Sequence, residues 1–107
     1  MNKQVMVLSC LLFFGTGCAG HHFTTEGRES VSLYLHHPGS SHVQFASSID
    51  RYTLHDTHRN LFGLWEISKP LTPGSSYFYI IDGSVFIPDC RFRETDDFGF
   101  ENCLYQP

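Results

Sequence analysis

The sequence predicts an all-β sandwich of about six to seven strands, on three observations. Apolar and polar residues alternate with period two between Glu29 and His37, as in a strand with one buried face. An aromatic and β-branched run at Tyr77–Ile81 is followed by Asp82-Gly83, a strong hairpin signal. Turn signals recur between the apolar runs, and no segment beyond the N-terminal apolar run has a convincing helical period. The length of 107 residues suits one domain.

The other strands follow from shorter patterns. Val43 and Phe45 alternate with polar neighbours, and Trp65 alternates with Ile67, so that Trp65 is expected to lie in the core. Residues 47–60 lack a period and are predicted to form a loop, as is the polar stretch that ends at Asp97. The predicted strands are residues 29–37, 42–46, 61–68, 77–81, 84–87 and 98–104.

The N-terminus is typical of an export signal. Lys3 supplies positive charge, and Val5–Phe14 is an apolar run too short to span a bilayer but suited to a signal peptide. The small residues of 15–17 then precede Cys18, a pattern that resembles the bacterial lipoprotein box, although Gly15 stands where that box usually has leucine. The alternative is an ordinary signal peptide that is cut nearby. We expect residues 1–17 to be the signal peptide and Cys18 to be the lipidated residue.

Acyl chains on Cys18 would anchor a small domain stably to a membrane of the bacterial cell envelope. Ala19, rather than aspartate, after the cysteine resembles lipoproteins that are sorted to an outer membrane. Residues 18–28 are polar and small and are predicted to be a flexible tether. The sandwich domain is then expected to occupy residues 29–107.

The charge of the chain bears on its possible partners, and its cysteine content bears on disulfide formation. The chain carries 7 basic and 11 acidic residues, which argues against nucleic acid, because phosphate binding needs clustered Lys and Arg. Cys90 and Cys103 are the two cysteines after Cys18, and an even pair in an exported domain favours one disulfide. Two free buried thiols are the alternative.

The order of the motifs resembles a known family. Pro73-Gly74, an aromatic strand that ends in Asp82-Gly83, Pro88-Asp89 and then the run 96–102 (DDFGFEN) are similar to the glycogen-binding early-set module. This carbohydrate-binding module of the family 48 type occurs in starch-branching and debranching enzymes and in the β subunit of AMP-activated kinase. The similarity covers roughly residues 30–106. It implies an immunoglobulin-like, early-set sandwich without catalytic activity.

The resemblance also implies a sugar site for an α-glucan. Tyr52 falls at the family's first stacking tryptophan, Asn102 matches the asparagine that bonds a glucose hydroxyl, and Phe98 falls at an apolar position that touches the ring. Aromatic rings suit this task because they offer large apolar area at low entropic cost. Val85 and Phe78 depart from the family, since they replace a tryptophan and a lysine.

Other chemistries find less support. His55 and His58 lie in a predicted loop, where nothing fixes the geometry of a metal site, and the acidic run near Asp96 lies on one predicted loop. We therefore expect neither metal, nor cofactor, nor catalysis. Two hypotheses remain: a membrane-anchored carbohydrate-binding module, or an envelope lipoprotein whose degenerate early-set sandwich binds a protein or is structural.

Overall fold

A computed structural model describes residues 20–26 and 30–107 and confirms the all-β sandwich. In these ranges, ten strands form two antiparallel sheets, which is more strands than the sequence predicts. No helix of this part is long and apolar enough to cross a bilayer. The strands are β1 (His21–Glu26), β2 (Ser30–Leu35), β3 (Val43–Ser47), β4 (His55–Asp56), β5 (His58–Arg59), β6 (Trp65–Lys69), β7 (Ser76–Ile81), β8 (Ser84–Phe86), β9 (Arg93–Thr95) and β10 (Glu101–Leu104).

The strand order is that of an immunoglobulin-like sandwich. One sheet has the order β1-β2-β6-β5, and the other has the order β4-β3-β7-β10-β9, with β8 also paired to β7. β1, β2, β6 and β5 correspond to strands A, B, E and D of an immunoglobulin domain, in the order in which they lie in the sheet. In the other sheet, β3, β7 and β10 correspond to strands C, F and G. The predicted signal peptide and Cys18 lie outside the described residues.

The core lies between the two sheets and is built by the alternation that the sequence shows. Inward residues of β2, β3 and β7 are almost fully buried because period two sends every second side chain to one face. Trp65 is 8% exposed, which confirms its predicted place in the core. The buried apolar cluster comprises Val31, Leu33, Leu35, Val43, Phe45, Trp65, Ile67, Leu71, Tyr77, Tyr79, Ile81, Cys103 and Tyr105.

The tether prediction is wrong for residues 21–26, which form β1. This strand pairs with β2 along its whole length, from His21 opposite Leu35 to Glu26 opposite Ser30. On the side of β1 that faces the core, the ring of Phe23 packs edge-on against the ring of Tyr105, with 5.0 Å between the ring centroids. The sandwich therefore begins at residue 21, and the rest of the predicted tether lies outside the described residues.

Two predicted loops also contain regular structure. Residues 47–60 hold a 3-10 helix at Ser48–Asp50 and the short strands β4 and β5, between which Thr57 donates its N–H and its hydroxyl to the carbonyl of Val43. The chain changes sheets at Thr57. The polar stretch before Asp97 contains β9, and the last strand starts at Glu101 rather than at residue 98.

The predicted disulfide is confirmed. Cys90, in the loop after β8, is bonded to Cys103 of β10, with a distance of 5.8 Å between their Cα atoms. The bond ties this loop to the six-stranded sheet and buries the sulfur of Cys103 in the core.

At one end of the sandwich, here called the Ser40 end, residues 40–42 contact strand ends from both sheets. Trp65 at the start of β6 donates its indole N–H to the Ser40 hydroxyl over 3.0 Å. The adjacent Ser41 and His42 donate their backbone N–H groups to the Asp82 carboxylate, at 3.0 and 2.8 Å, just beyond the end of β7. The start of β6 and the end of β7 therefore lie at the same end of the molecule.

Candidate functional site

An open groove of about 360 Å³ lies on the outer face of the six-stranded sheet. Alternation places Phe78 and Val85 on this face, while their neighbours Tyr79 and Phe86 turn towards the core. Val85 is 65% exposed, so the groove has an apolar and accessible wall. Its lining residues are Phe78, Val85, Ile87, Asp96, Phe100, Glu101 and Asn102.

Tyr52 extends the apolar surface of this groove. The 3-10 helix ends in two consecutive left-handed residues, Arg51 and Tyr52, with φ of 60° and 64°, and the N–H of Tyr52 bonds the Ser47 carbonyl at 2.8 Å. This turn lays the Tyr52 ring on Phe78, with 5.6 Å between centroids and 18° between ring planes. The hydroxyl groups of Tyr52 and Ser76 are hydrogen-bonded. Residues other than glycine rarely adopt this left-handed backbone conformation, and here it places an aromatic ring beside the groove.

Asn102 enters the groove from β10. It pairs with Glu94 of β9, and it is only 7% exposed. The next residue, Cys103, points into the core, so the Asn102 side chain faces outwards, into the groove. Its amide offers one acceptor and two donors beside the apolar wall. Tyr52 and Asn102 thus lie on one face of the sheet, with Phe78 between the two.

Phe98 does not line the groove, and Phe100 does so instead. Residues 96–100 form a tight turn in which the Asp96 carboxylate accepts the N–H groups of Phe98 and Phe100, at 2.9 and 3.0 Å. The turn leaves the Phe98 ring 85% exposed at its tip and sends Phe100 back towards Val85. The placement of Phe98 at the expected site is therefore wrong, because Phe100 and not Phe98 lines the groove.

Both charged side chains that line the groove, Asp96 and Glu101, have partners within the protein. One carboxylate oxygen of Asp96 accepts the two N–H groups of its turn. Glu101 forms an ion pair, at 3.1 Å, with Arg93 of the neighbouring strand β9. The positions of Phe78 and Val85 add no hydrogen-bonding group. Asn102 is therefore the lining side chain best suited to bond an uncharged hydroxyl.

Two of the histidines, His42 and His55, are each hydrogen-bonded to a carboxylate. His42 bonds Asp56 at 2.8 Å, and His55 bonds Asp50, so each hydrogen bond lowers the pKa of its carboxyl below the usual range. Within residues 20–26 and 30–107, no group of three or more His, Cys, Asp or Glu is placed to hold a metal ion.

A second groove, also of about 360 Å³, was missed because β1 was predicted to be a tether. It lies between β1 and the loop that carries Arg91 and Phe92. At its floor, His21 lies against Tyr77 and shares a hydrogen bond of 3.2 Å with the Tyr79 hydroxyl. Burial, aided by the neighbouring His22, lowers the pKa of His21 to about 4, and burial raises the pKa of both tyrosines.

No model of a known protein family matches the chain, and no curated protein matches it significantly. A functional proposal must therefore depend on the groove itself, and on the motif order described above. The groove offers aromatic and aliphatic surface beside one amide, Asn102, and two carboxylates, Asp96 and Glu101.

Proposed function

We propose that the chain is a non-catalytic module that holds a glycan against the outer face of the six-stranded sheet, and that Cys18 anchors it to a membrane of the cell envelope. The observation that carries the proposal is that Tyr52, Phe78, Phe100 and Asn102 lie on one accessible face. A sugar ring has apolar C–H faces and polar hydroxyl edges. An aromatic surface can pack against the C–H faces, and an amide beside it can hydrogen-bond to the hydroxyl groups.

The shape of the groove favours a polymer. An open groove, continued by the Tyr52 ring, accommodates successive units of a chain more readily than it encloses one small molecule. The motif order shared with the glycogen-binding early-set module supports an α-glucan, and Asn102 and Tyr52 are the positions where this similarity and the groove agree.

The affinity of one module is expected to be weak. Phe78 and Val85 replace a lysine and a tryptophan of the similar family, so that a charged hydrogen bond and a stacking contact are absent. Each is worth about 1–3 kcal/mol, the stacking figure being taken from base–aromatic contacts. We therefore expect a dissociation constant near ~1 mM. Many copies on one membrane would restore avidity for a repeating polymer.

A protein ligand is the second candidate, and a specific observation favours it. Asp96 and Glu101 are engaged within the protein, so the free surface of the groove is largely apolar. An apolar side chain of a partner fits such a wall next to Val85 and Phe100, which are 65% and 69% exposed. This candidate predicts that the same groove substitutions disrupt protein binding and leave glycan retention at background.

The test displays the full lipidated chain on liposomes and measures sedimentation with insoluble glycogen. Tyr52→Ala and Phe100→Ala are expected to lose retention, and Phe92→Ala, which removes an exposed phenylalanine away from the groove, is expected to keep it. Thermal unfolding of each variant separates loss of a contact from loss of the fold, since Tyr52 also packs on Phe78. Absence of retention for the unmodified protein on liposomes would refute glycan binding.

A further inference from the structure

Two turns of the sandwich share one hydrogen-bonding frame, although they belong to different sheets. Residues 60–64 (NLFGL) join β5 to β6, and residues 96–100 (DDFGF) join β9 to β10. In each, the first residue bonds the fifth through its N–H, at 2.8 Å in both turns, and accepts the N–H of the glycine, at 3.0 and 3.1 Å. The glycines, Gly63 and Gly99, have φ of 79° and 88°, which other residues rarely adopt.

The side chain of the first residue completes the frame in the same way. The Asn60 carbonyl oxygen accepts the N–H groups of Phe62 and Leu64, at 2.9 and 3.1 Å. The Asp96 carboxylate makes the two equivalent bonds with Phe98 and Phe100. Each turn is therefore held by four hydrogen bonds, and an exposed phenylalanine lies at its tip.

The projected residues are the most exposed large apolar side chains of the described part. Phe62 is 86% exposed, Phe98 is 85% exposed, and Leu61 beside Phe62 is fully exposed at 101%. Apolar rings held this far from the core by ordered turns contribute little to folding. Exposed apolar side chains that lie together at one end of a domain are typical of an interaction surface.

Both turns lie at the Ser40 end of the sandwich. The first leads directly into Trp65, whose indole bonds Ser40. The second leads into β10, which runs antiparallel to β7 and so begins on the side where β7 ends, at Asp82 beside Ser41. Two apolar tips, one from each sheet, thus lie at the same end, and Leu61 and Phe62 also border the outer face of the four-stranded sheet beside Tyr34.

The chain also enters the sandwich at this end. The N–H of His36 donates to the carbonyl of Gly20 over 2.8 Å, and His21 lies opposite Leu35, where β2 finishes. Cys18, the proposed lipidation site, is two residues before Gly20. A lipid chain on Cys18 would therefore hold the two tips at the bilayer surface.

We propose that the Ser40 end docks on the bilayer, with Phe62, Leu61 and Phe98 inserted at the level of the lipid headgroups. The docking rests on the proposed anchoring at Cys18. Aromatic rings on rigid turns suit this region, which favours amphipathic and aromatic side chains. Asp82, Asp96 and Asp97 lie at the same end, so anionic lipids add no attraction, and the surface suits a zwitterionic membrane.

The experiment places a reporter on each turn of the full lipidated chain. Phe62→Trp and Phe98→Trp are reconstituted in phosphatidylcholine vesicles whose acyl chains carry bromine, which quenches nearby indoles. The matched control is Leu54→Trp, since Leu54 is 48% exposed and precedes β4 near the end of β3, away from the Ser40 end. The signal of the buried Trp65 is subtracted with the unmodified protein. We expect quenching of both turn reporters at least about two-fold above that of the control, because partial burial of such a ring is favourable.

The outcomes separate the docking from the anchor. If Cys18→Ser becomes free of vesicles but the anchored turn reporters are quenched no more than the control, the anchor holds and the docking is refuted, and a protein is then the occupant of the two tips. If Cys18→Ser still partitions with vesicles after normal cleavage, the anchor proposal fails, and quenching of the turn reporters in that variant would support the docking alone.

Discussion

His21→Gln is expected to make the domain less sensitive to acid. His21 is the first residue of β1, and its ring lies against the buried Tyr77 and Tyr79. Its pKa falls from an ordinary 6.5 to about 4 because burial disfavours the charged ring. The glutamine amide retains a partner for the Tyr79 hydroxyl but does not titrate.

The sign follows from proton binding. Between these two pKa values the unfolded chain binds one more proton at this site than the folded chain does, so the free energy of unfolding rises with pH. The stabilisation from a neutral His21 is complete above 6.5 and is lost as pH falls through about 4. Acidification from about pH 7.5 to about pH 4 therefore costs about 3 kcal/mol through this residue alone.

The assay is urea unfolding at both pH values for the unmodified protein, His21→Gln and the exposed control His58→Gln. The carboxyls of Asp50 and Asp56 also have lowered pKa values and add to acid sensitivity, but they are common to all three proteins and cancel in the comparison. The loss of stability on acidification should be about 3 kcal/mol smaller in His21→Gln than in the other two. Equal losses in all three would refute the reasoning.

Two further predictions concern the covalent and polar ties of the sandwich. Reduction of Cys90–Cys103 removes a cross-link over a sequence separation of 13 and is expected to lower the free energy of unfolding by about 3 kcal/mol, measured by urea unfolding with and without reductant. Ser40→Ala leaves the buried indole N–H of Trp65 without its partner and should cost about 1–3 kcal/mol by Trp65 fluorescence, whereas the exposed Ser41→Ala should cost little.

The parts of the fold that the sequence predicts are those with a full alternating pattern. β2 and β7 each carry three inward apolar residues and β3 carries two, so period two is visible and the core follows. β1 has Phe23 as its one large apolar residue, and its existence depends on pairing with β2, which is a tertiary effect. β4 and β5 have two residues each, too few to show a period.

Two of the three residues expected at the site, Tyr52 and Asn102, lie on the groove face, because spacing along the sequence locates strands better than turns. Asn102 belongs to β10 and Tyr52 follows a defined 3-10 helix, and both reach the same face. Phe98 and Phe100 are separated by one residue, and hydrogen bonds to Asp96 decide which of them faces the groove. The sequence does carry a signal for the frame, since Asn or Asp is followed at a fixed offset by Phe-Gly in both turns.

The two proposed surfaces are compatible because the strands separate them. Tyr52 bonds Ser76 at the start of β7, whereas the Ser40 end meets the finish of β7, and six residues of strand span about 20 Å. With the Ser40 end on a bilayer, the sheet stands away from the membrane and the groove opens sideways, with its Tyr52 end outermost. Neighbouring copies can then contact one polymer lying along the surface, which is the geometry that avidity requires. Changes at Phe62 or Phe98 should accordingly alter orientation on the membrane and leave the groove intact.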